Sequence, residues 1–464
     1  MQPSKVHDVA ARLWSLLGGD HSTLERLELS GAQQLLPSTF DVTSLACAAI
    51  GVATLSVAEL DAARHGRESD RVRVATRESV AAFRCEALFT PVGWELPPLW
   101  DPIAGDYRGV DGWIRLHTNY ANHRAACLRA LGLQRRHDRE VVTAEVAQWG
   151  IDELESRVVE EGGADAAMRT PSQWLAHPQG KATASAPPVE IDDDSRGGSS
   201  PLPPSVEPLD GVKVLDLTRV IAGPFATRFL AAWGADVLRI DPPGFEEVPA
   251  IVPESTAGKR CALLDLRTKS GRLRLLELVH QADVVVCGYR PGGLEALGLD
   301  MDTMRTANPG VITVRHDAYG WRGPWASRRG FDSLVQMSCG IAAAGGNDRP
   351  RPLPAQALDH TLGMLLAASV CRALAVRTRR GVTPQIRGSL IGVANLLGDL
   401  RDPAGASIAP TTFTDEDLER RPTWWGPAFA VPIPGLIANR RPRLAIEPGP
   451  LGRDEPSFSQ PEPG

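Results

Sequence analysis

The chain has 464 residues, of which 43% are hydrophobic and 23% charged, and its formal net charge is -6. This length allows two or three domains with buried cores, and the lack of a basic excess argues against a dedicated nucleic-acid-binding protein. Seven cysteines are scattered without a CxxC pair, which favours buried thiols over a disulfide framework and predicts no metal site. We expect neither a signal peptide nor a membrane span, and therefore a cytoplasmic location.

The first 75 residues are predicted to be mainly helical. Residues 44–64, SLACAAIGVATLSVAELDAAR, are mostly apolar and have the length of a helix rather than of a strand. The basic turn before Gly66 and the glycine itself form a common helix stop. The stretch RVRVAT that follows is typical of a strand.

Residues 76–178 mix both kinds of element. DGWIRLHT (111–118) has the pattern of a strand, and NHRAACLRALG that of a helix. VVTAEVAQWGIDELESRVVEEGG adds one or two more helices. Because strands and helices do not alternate regularly here, we predict a small α+β domain.

Residues 179–207 are predicted to be a linker. Proline, serine, glycine and acidic residues dominate the segment, so it offers too little apolar surface to order itself. Residues 403–464 are also rich in proline, glycine and arginine, and we predict a largely irregular tail.

Residues 208–402 alternate between strand-like and helix-like segments. KVLDLT (213–218) and ADVLRID (235–241) are short apolar runs of the kind that form buried strands, separated by the helical FATRFLAAWG. CALLDL, ADVVVCGY and VITVRH repeat the strand pattern. Strands separated by helices of this length form a parallel sheet with right-handed crossovers, so this region is predicted to be α/β.

One apolar helix pattern occurs twice. Residues 44–66 and 359–381 are both apolar helical stretches that end in a basic turn and a glycine, and a strand-like stretch follows each. The pattern indicates either an internal duplication or two unrelated core helices. Both readings stay open at the level of the sequence.

Residues 208–400 resemble the catalytic core of the family III CoA-transferases, the group that holds formyl-CoA and carnitine-CoA transferases. The similar segments occur in family order and include PLDGVKVLDLTRVIAGPFATRFLAAWGADVLRIDPP, ADVVVCGYRPGGLEALGLD and ALDHTLGMLLAASVCRALAVRTRRG. The resemblance implies a Rossmann-like parallel-sheet core that binds coenzyme A. It also implies a transferase of sulfur-containing groups, with an acyl-CoA and a carboxylic acid as substrates.

The first half of the chain resembles the small domain of the same family, which normally follows the core. DGWIRLHTNYANHRAACLRALG carries this similarity, and here it precedes the core. The resemblance therefore indicates a rearranged or fused member in which residues 1–75 are a partial copy of the core. The family's interlocked homodimer is the oligomeric state that we expect.

Asp359 is the residue that the resemblance identifies as the nucleophile. CoA exchange requires an ionised carboxylate that carries the acyl group as a mixed anhydride and then carries CoA as a thioester. The start of an apolar helix suits such a charge, although an aspartate there can simply cap the helix. In the first copy the equivalent spacing falls on Ser44, with Asp41 close by as a minor candidate.

The resemblance also supplies candidate CoA contacts. Arg239 and Lys259 are suggested by their charge as well. The loop after the first strand lies where parallel α/β sheets bind ligands. This loop has no GxGxxG motif of the kind that binds dinucleotides, and we expect no metal. The complete set of predicted contacts is Val220, Ala222, Arg239, Lys259, Tyr289, Arg290, Asp317 and Tyr319.

Two other functions remain as alternatives. An α-methylacyl-CoA racemase-like enzyme would need a paired histidine and aspartate as acid and base, but Phe331 stands before Asp332 where the racemases carry the histidine. A catalytically inactive CoA-binding protein is the other alternative.

Overall fold

The computed structural model describes residues 5–32, 34–133, 138–192, 201–345 and 348–459. Its first 75 residues contain α1 (Lys5–Leu16), α2 (His21–Leu24), β1 (Leu27–Ser30), α3 (Val42–His65) and β2 (Val72–Ala75). Helix α3 is buried along almost its whole length and ends at Gly66, whose φ of 60° gives the left-handed cap that glycine favours. The two strands pair in parallel, so this region is less purely helical than the sequence predicted.

Residues 76–178 form an α+β unit around its own apolar core. Strands 105–108, 113–116 and 165–167 make an antiparallel sheet, and helices 121–130 and 151–160 pack against it. The elements of the region are α4 (Thr76–Ala82), α5 (Cys85–Leu88), β3 (Thr90–Pro91), β4 (Gly105–Arg108), β5 (Trp113–Leu116), α6 (Ala121–Ala130), α7 (Arg139–Val146), α8 (Ile151–Glu160), β6 (Asp165–Ala167) and α9 (Pro171–Ala176).

The first part of the predicted linker is ordered, which corrects its N-terminal boundary. Residues 178–192 contain α10 (Pro178–Thr183) and β7 (Val189–Asp192). Strand β7 pairs antiparallel with residues 385–388 at the edge of the main sheet, and Val189 is buried. Sheet hydrogen bonds at an existing edge order this short segment, although its own composition is poor in apolar residues. Residues 193–200 lie outside the described part of the chain.

The core is built on a seven-stranded sheet, whose strands lie side by side in the order 259–263, 236–241, 213–217, 284–287, 312–317, 385–389 and β7. All neighbouring strands are parallel except β7, which confirms the predicted α/β class. The core elements are β8 (Lys213–Leu217), α11 (Ala222–Ala232), β9 (Asp236–Asp241), α12 (Val252–Ser255), β10 (Lys259–Leu263), α13 (Lys269–Gln281), β11 (Val284–Cys287), α14 (Met301–Ala307), β12 (Ile312–Asp317), α15 (Asp332–Ser338), α16 (Ile341–Ala344), α17 (Ala357–Arg380), β13 (Gln385–Ser389) and α18 (Leu390–Gly398).

The two helices with the repeated sequence pattern pack against each other. Both α3 and α17 have 24 residues, and both end at a left-handed glycine, Gly66 and Gly381. They are long and apolar enough to span a membrane by length and composition, yet both are buried in the protein core. Their packing joins the first 75 residues to the core.

The C-terminal residues are docked onto the rest of the protein through short strands. These strands are β14 (Glu419–Arg421), β15 (Ala428–Ala430) and β16 (Leu436–Ile437). Strand β15 pairs with β3, and β16 pairs with β2. Further on, Asp454 exchanges hydrogen bonds with the backbone of Cys261. The predicted tail is therefore mostly irregular in its backbone but fixed in its position.

Candidate active site

Asp359 is the third residue of α17, and its side chain does not cap that helix. The capping carboxylate belongs to Asp332, whose Oδ2 accepts hydrogen bonds from the backbone N–H of Leu358 (2.8 Å) and of Asp359 (3.0 Å). Asp359 is 7% exposed, and its side chain has no hydrogen-bond partner among the described residues. Because another residue already caps the helix, the Asp359 carboxylate is available for other chemistry.

The surroundings of Asp359 disfavour its charge. Burial, together with the carboxylates of Asp332 and Glu86, raises its pKa well above the ordinary value of an aspartate. Burial also raises the pKa of Asp332, to about 6, against the opposing effect of its hydrogen-bond donors. A carboxylate with a raised pKa and little solvation is a better nucleophile once it is ionised.

A cleft of about 410 Å³ lies against Asp359 at the carboxyl ends of strands β8, β11 and β12. In open parallel sheets this edge is the usual ligand site. We call it the basic cleft, because its lining includes four arginines: Arg219, Arg290, Arg328 and Arg329.

Two of these arginines are available to an anion. Arg328 pairs with Glu155 at 3.0 Å, and Arg219 donates to the Tyr289 hydroxyl at 2.6 Å. Neither Arg290 nor Arg329 has an ion-pair partner in the described part of the chain. Burial and the charge of Arg290 lower the pKa of Arg329, so the two cations lie close to each other. An anionic ligand such as a phosphate relieves this repulsion.

The loop between β8 and α11 carries backbone strain at the cleft. Val220 has a φ of 68°, a left-handed conformation that a β-branched residue rarely adopts. Glu247 holds it there by accepting a hydrogen bond from its N–H at 3.0 Å. Such strain concentrates at functional sites.

The structure brings five of the eight predicted CoA contacts to the basic cleft. These five residues are Val220, Ala222, Tyr289, Arg290 and Asp317. Among them, Asp317 has a pKa that burial raises to about 7. At neutral pH this carboxyl therefore presents only a partial negative charge to the cleft.

Arg239 and Lys259 do not line any described cavity, so the structure argues against both as CoA contacts. Lys259 is fully buried and lies 2.9 Å from Asp216. Arg239 is equally buried, between Asp241 at 2.8 Å and Glu247 at 3.1 Å. Both cations are already neutralised by carboxylates inside the protein.

Tyr319 is also absent from the cleft. Its ring is buried, and its hydroxyl forms a hydrogen bond of 3.1 Å with Ser338. Gly330 packs tightly on the ring, since a Cβ there would lie 2.7 Å from it. Tyr319 thus supports the cleft wall from behind.

Asp41, the minor candidate in the first copy, has a structural role. Its carboxylate accepts a hydrogen bond from Ser44 N–H at 2.9 Å and pairs with Lys5 at 3.1 Å. It therefore caps α3 and fixes α1 to it. No described cavity is lined by Asp41 or Ser44.

A second cavity, of about 200 Å³, also reaches Asp359. We call it the aromatic chamber, after the ring side chains in its lining. Both halves of the chain contribute walls, because residues 83–120 face residues 220–359 across it. Its rings are Phe83, Trp100, His117, Tyr120 and Phe331.

Asp359 is where the two cavities meet. In the part of the chain that the structure describes, three other residues line both cavities: Tyr120, Val220 and Phe331. Tyr120 comes from the small domain and its hydroxyl donates to Glu247 at 2.5 Å, which ties that domain to the core at this point. A ligand in either cavity can thus reach one carboxylate.

The sequence did not identify the ion pair beside Asp359. His360 Nε2 lies 2.8 Å from Glu86 Oε1, and His360 lowers the pKa of Glu86 against its burial. With Cys85 these residues place possible metal-ligand atoms within 4.8 Å of one another. Burial raises the pKa of the Cys85 thiol well above its usual value, and a protonated thiol is a poor metal ligand.

His117 is the histidine that shares the aromatic chamber with Asp359. Its ring stacks on Phe331 at 3.7 Å between centroids. Burial, His123 and Arg115 lower its pKa to about 3. A base this weak is poorly suited to removing a proton next to a thioester, so the racemase-like alternative gains no second base from it.

Comparison with known proteins finds similarity over the core of the chain. Residues 209–399 match CoA-transferase family III. The probable fatty acyl-CoA transferase Rv3272 of Mycobacterium tuberculosis is 35% identical over 203 residues, which are 40% of this chain and 52% of that protein. The succinyl-CoA–D-citramalate CoA-transferase of Chloroflexus aurantiacus is 34% identical over 197 residues, which are 39% of this chain and 48% of that protein.

The chain spans about half the length of the curated relatives that it matches. The orthorhombic crystal structure of Rv3272 aligns with 42% of this chain and 56% of that chain, at 37% identity and a TM-score of 0.40. The sequence matches make residues 209–399 similar to CoA-transferase family III, in agreement with the predicted resemblance.

Proposed function

We propose, from the premise that residues 209–399 belong to CoA-transferase family III, that this protein moves coenzyme A from an acyl-CoA to a carboxylic acid with Asp359 as its nucleophile. One observation supports this most directly. A buried carboxylate that has no hydrogen-bond partner among the described residues lies where a basic cleft and an aromatic chamber meet. CoA fits the cleft, and the acyl group or acceptor acid fits the chamber.

The first half of the reaction loads the enzyme. The Asp359 carboxylate attacks the thioester carbonyl, the C–S bond breaks, and CoA leaves as a thiolate, which gives a mixed anhydride. The thiolate then attacks the Asp359 carbonyl of this anhydride. The donor acid leaves as a carboxylate, and Asp359 holds CoA as a thioester.

The second half reverses these steps with another acid. The acceptor carboxylate attacks the aspartyl thioester and releases the thiolate, and the thiolate attacks the acyl carbonyl of the new anhydride. The products are a new acyl-CoA and the free Asp359 carboxylate, so no net proton is consumed. Burial of Asp359 supports this cycle, because water at either intermediate would waste the thioester.

The cations of the basic cleft support its assignment to CoA. Arg290 and Arg329 have no ion-pair partner among the described residues, and both line the cleft. CoA carries several phosphate charges, which guanidinium groups bind well. We propose these two arginines as phosphate contacts, and Arg329 is the one that the sequence did not suggest.

Trapping of the intermediate tests the proposed function. Incubation with an acyl-CoA and hydroxylamine should convert Asp359 to a hydroxamate, which peptide mass spectrometry locates. CoA binding without a modified residue would favour the inactive CoA-binding alternative. Incorporation of deuterium from D₂O next to the thioester, again without a modified residue, would favour the racemase-like one.

The pH dependence of loading should report the raised pKa of Asp359. Only the ionised carboxylate attacks, so thiol release should fall with decreasing pH at values above the ordinary carboxyl range. Glu86→Gln removes one of the two anions that raise this pKa and should move the acid limb to lower pH. An acid limb at an ordinary carboxyl pKa, or one that Glu86→Gln does not move, would contradict this electrostatic account.

We further propose that the enzyme is a cytoplasmic homodimer that needs no metal. All seven cysteines are free, which supports a reducing compartment, and the dimer follows from the resemblance to the family. Light scattering on the purified protein measures the oligomeric state, and a monomer would contradict the proposal. Full activity after treatment with a chelator is expected.

A further inference from the structure

We propose that the aromatic chamber takes a small acid with one carboxylate and an apolar body, in preference to a dicarboxylic acid. This inference rests on the proposed function, because it concerns the acid that reacts at Asp359. It goes beyond that function by naming the substrate class. One relative named above is a probable fatty acyl-CoA transferase and the other a succinyl-CoA–D-citramalate CoA-transferase. The resemblance alone therefore does not choose between a monocarboxylic and a dicarboxylic substrate.

The walls of the chamber are mainly apolar. Its volume of about 200 Å³ is below the range of roughly 300–1,000 Å³ that is typical for drug-sized ligands, which favours a small acyl group. Apolar side chains come from both halves of the chain, and they include Phe83, Leu99, Trp100, Ile221, Ile251 and Leu353. An alkyl or aryl group gains from leaving water for such walls.

The charges nearest the reacting carboxylate are negative. Asp332 and Glu86 both line the chamber, and both act on Asp359. Glu86 is kept ionised by its contact with His360, and the Asp332 carboxylate is held by the N–H groups at the start of α17. A second carboxylate on the substrate would meet two like charges in a mainly apolar site, where such repulsion is stronger than in water.

Arg84 is the one cation among the described residues that line the chamber. Its guanidinium carbon lies 5.9 Å from the ring centroid of Phe413, and no described carboxylate pairs with it. It is the group that would hold the far carboxylate of a dicarboxylic acid. The charges that shift the pKa of Asp359 are those of Asp332 and Glu86, and not that of Arg84. The negative charges therefore determine the electrostatics next to the reacting carboxylate.

Matched acyl-CoA pairs test this inference on the full-length protein. Hexanoyl-CoA and adipoyl-CoA have acyl chains of equal length that differ in one carboxylate, and butyryl-CoA and succinyl-CoA form a shorter pair. The rate of thiol release and the modification of Asp359 are measured for each. We expect kcat/KM to be at least 10-fold higher for the monocarboxylic member of each pair.

The outcomes separate this inference from the proposed function. If Asp359 reacts with succinyl-CoA or adipoyl-CoA as fast as with its partner, or faster, the substrate inference is overturned and the proposed function stands. If Arg84→Gln then loses the preference for dicarboxylic substrates, Arg84 is the residue that binds the second carboxylate. If none of the four compounds modifies Asp359, both proposals fail.

A gain-of-function variant supplies a second, independent measurement. Leu99 is half-buried in the chamber wall, so Leu99→Arg adds a cation at a position where a long side chain can be tolerated. We expect it to raise the adipoyl-CoA to hexanoyl-CoA ratio of kcat/KM at least 5-fold. Leu99→Met, which adds no charge, should leave the ratio unchanged. An unchanged ratio in a folded Leu99→Arg protein would overturn the electrostatic reason for the preference.

Discussion

Asp359→Asn should lower the rate of CoA exchange by at least about 10⁴-fold, since removal of a covalent nucleophile typically costs this much or more. The amide of asparagine has nearly the same shape, so the cavities on both sides of the residue should persist. It cannot form the anhydride, because its nitrogen and oxygen are poor nucleophiles. The measurement is thiol release and acyl transfer from any acyl-CoA that the parent accepts.

The same variant should be at least as stable as the parent, which separates chemistry from misfolding. The folded protein raises the pKa of Asp359, so the folded state binds this proton more tightly than the unfolded chain does. Stability is therefore lost as pH rises from the unfolded pKa through the folded one. Asparagine does not ionise, so the variant does not lose this stability as pH rises. The Tm of Asp359→Asn should therefore exceed that of the parent by more at pH 8 than at pH 5. If Asp359→Asn exchanges CoA at the same rate as the parent, the proposed mechanism is wrong.

Lys259→Met should destabilise the fold by about 3–5 kcal/mol, the usual cost of breaking a buried ion pair by removing one partner. The Lys259 ammonium donates to Asp216 at 2.9 Å and to the carbonyl of Pro224 at 2.8 Å. Its removal leaves the fully buried Asp216 carboxylate without its cation. Chemical denaturation measures the loss.

Two controls make this prediction specific. Asp216→Asn in the Lys259→Met background removes the uncompensated charge, so the double variant should be more stable than Lys259→Met alone. The KM for CoA should stay close to that of the parent in the folded fraction. A normal stability combined with a KM raised more than about 10-fold would restore Lys259 as a CoA contact.

The regular part of the fold could be read from the sequence because its signals are local. Short apolar runs such as the one at β8 alternate with helices of suitable length, and this pattern predicts a parallel sheet without knowledge of distant contacts. Strand β7 gives no such signal. Its four residues lie in a segment rich in proline and acidic residues, and only the edge of the finished sheet orders them.

The site could be predicted only in part, for a similar reason. Asp359 lies inside a distinctive segment, whereas Glu86 and His117 are far from it in the chain and meet it only in the folded protein. Family position and charge suggested Arg239 and Lys259, but the sequence does not say that Asp241, Glu247 and Asp216 already neutralise them. Burial of a cation depends on partners that tertiary structure supplies.

The shared walls of the aromatic chamber affect how much of the activated acyl group would be hydrolysed instead of transferred. Residues 83–120 close the space beside Asp359 from one side and the core closes it from the other. If the two halves part while an acyl group is attached, solvent reaches the mixed anhydride and the protein becomes a hydrolase. The rate of acid release in the absence of any acceptor therefore measures how well the contact between the two halves of the chain keeps water from Asp359.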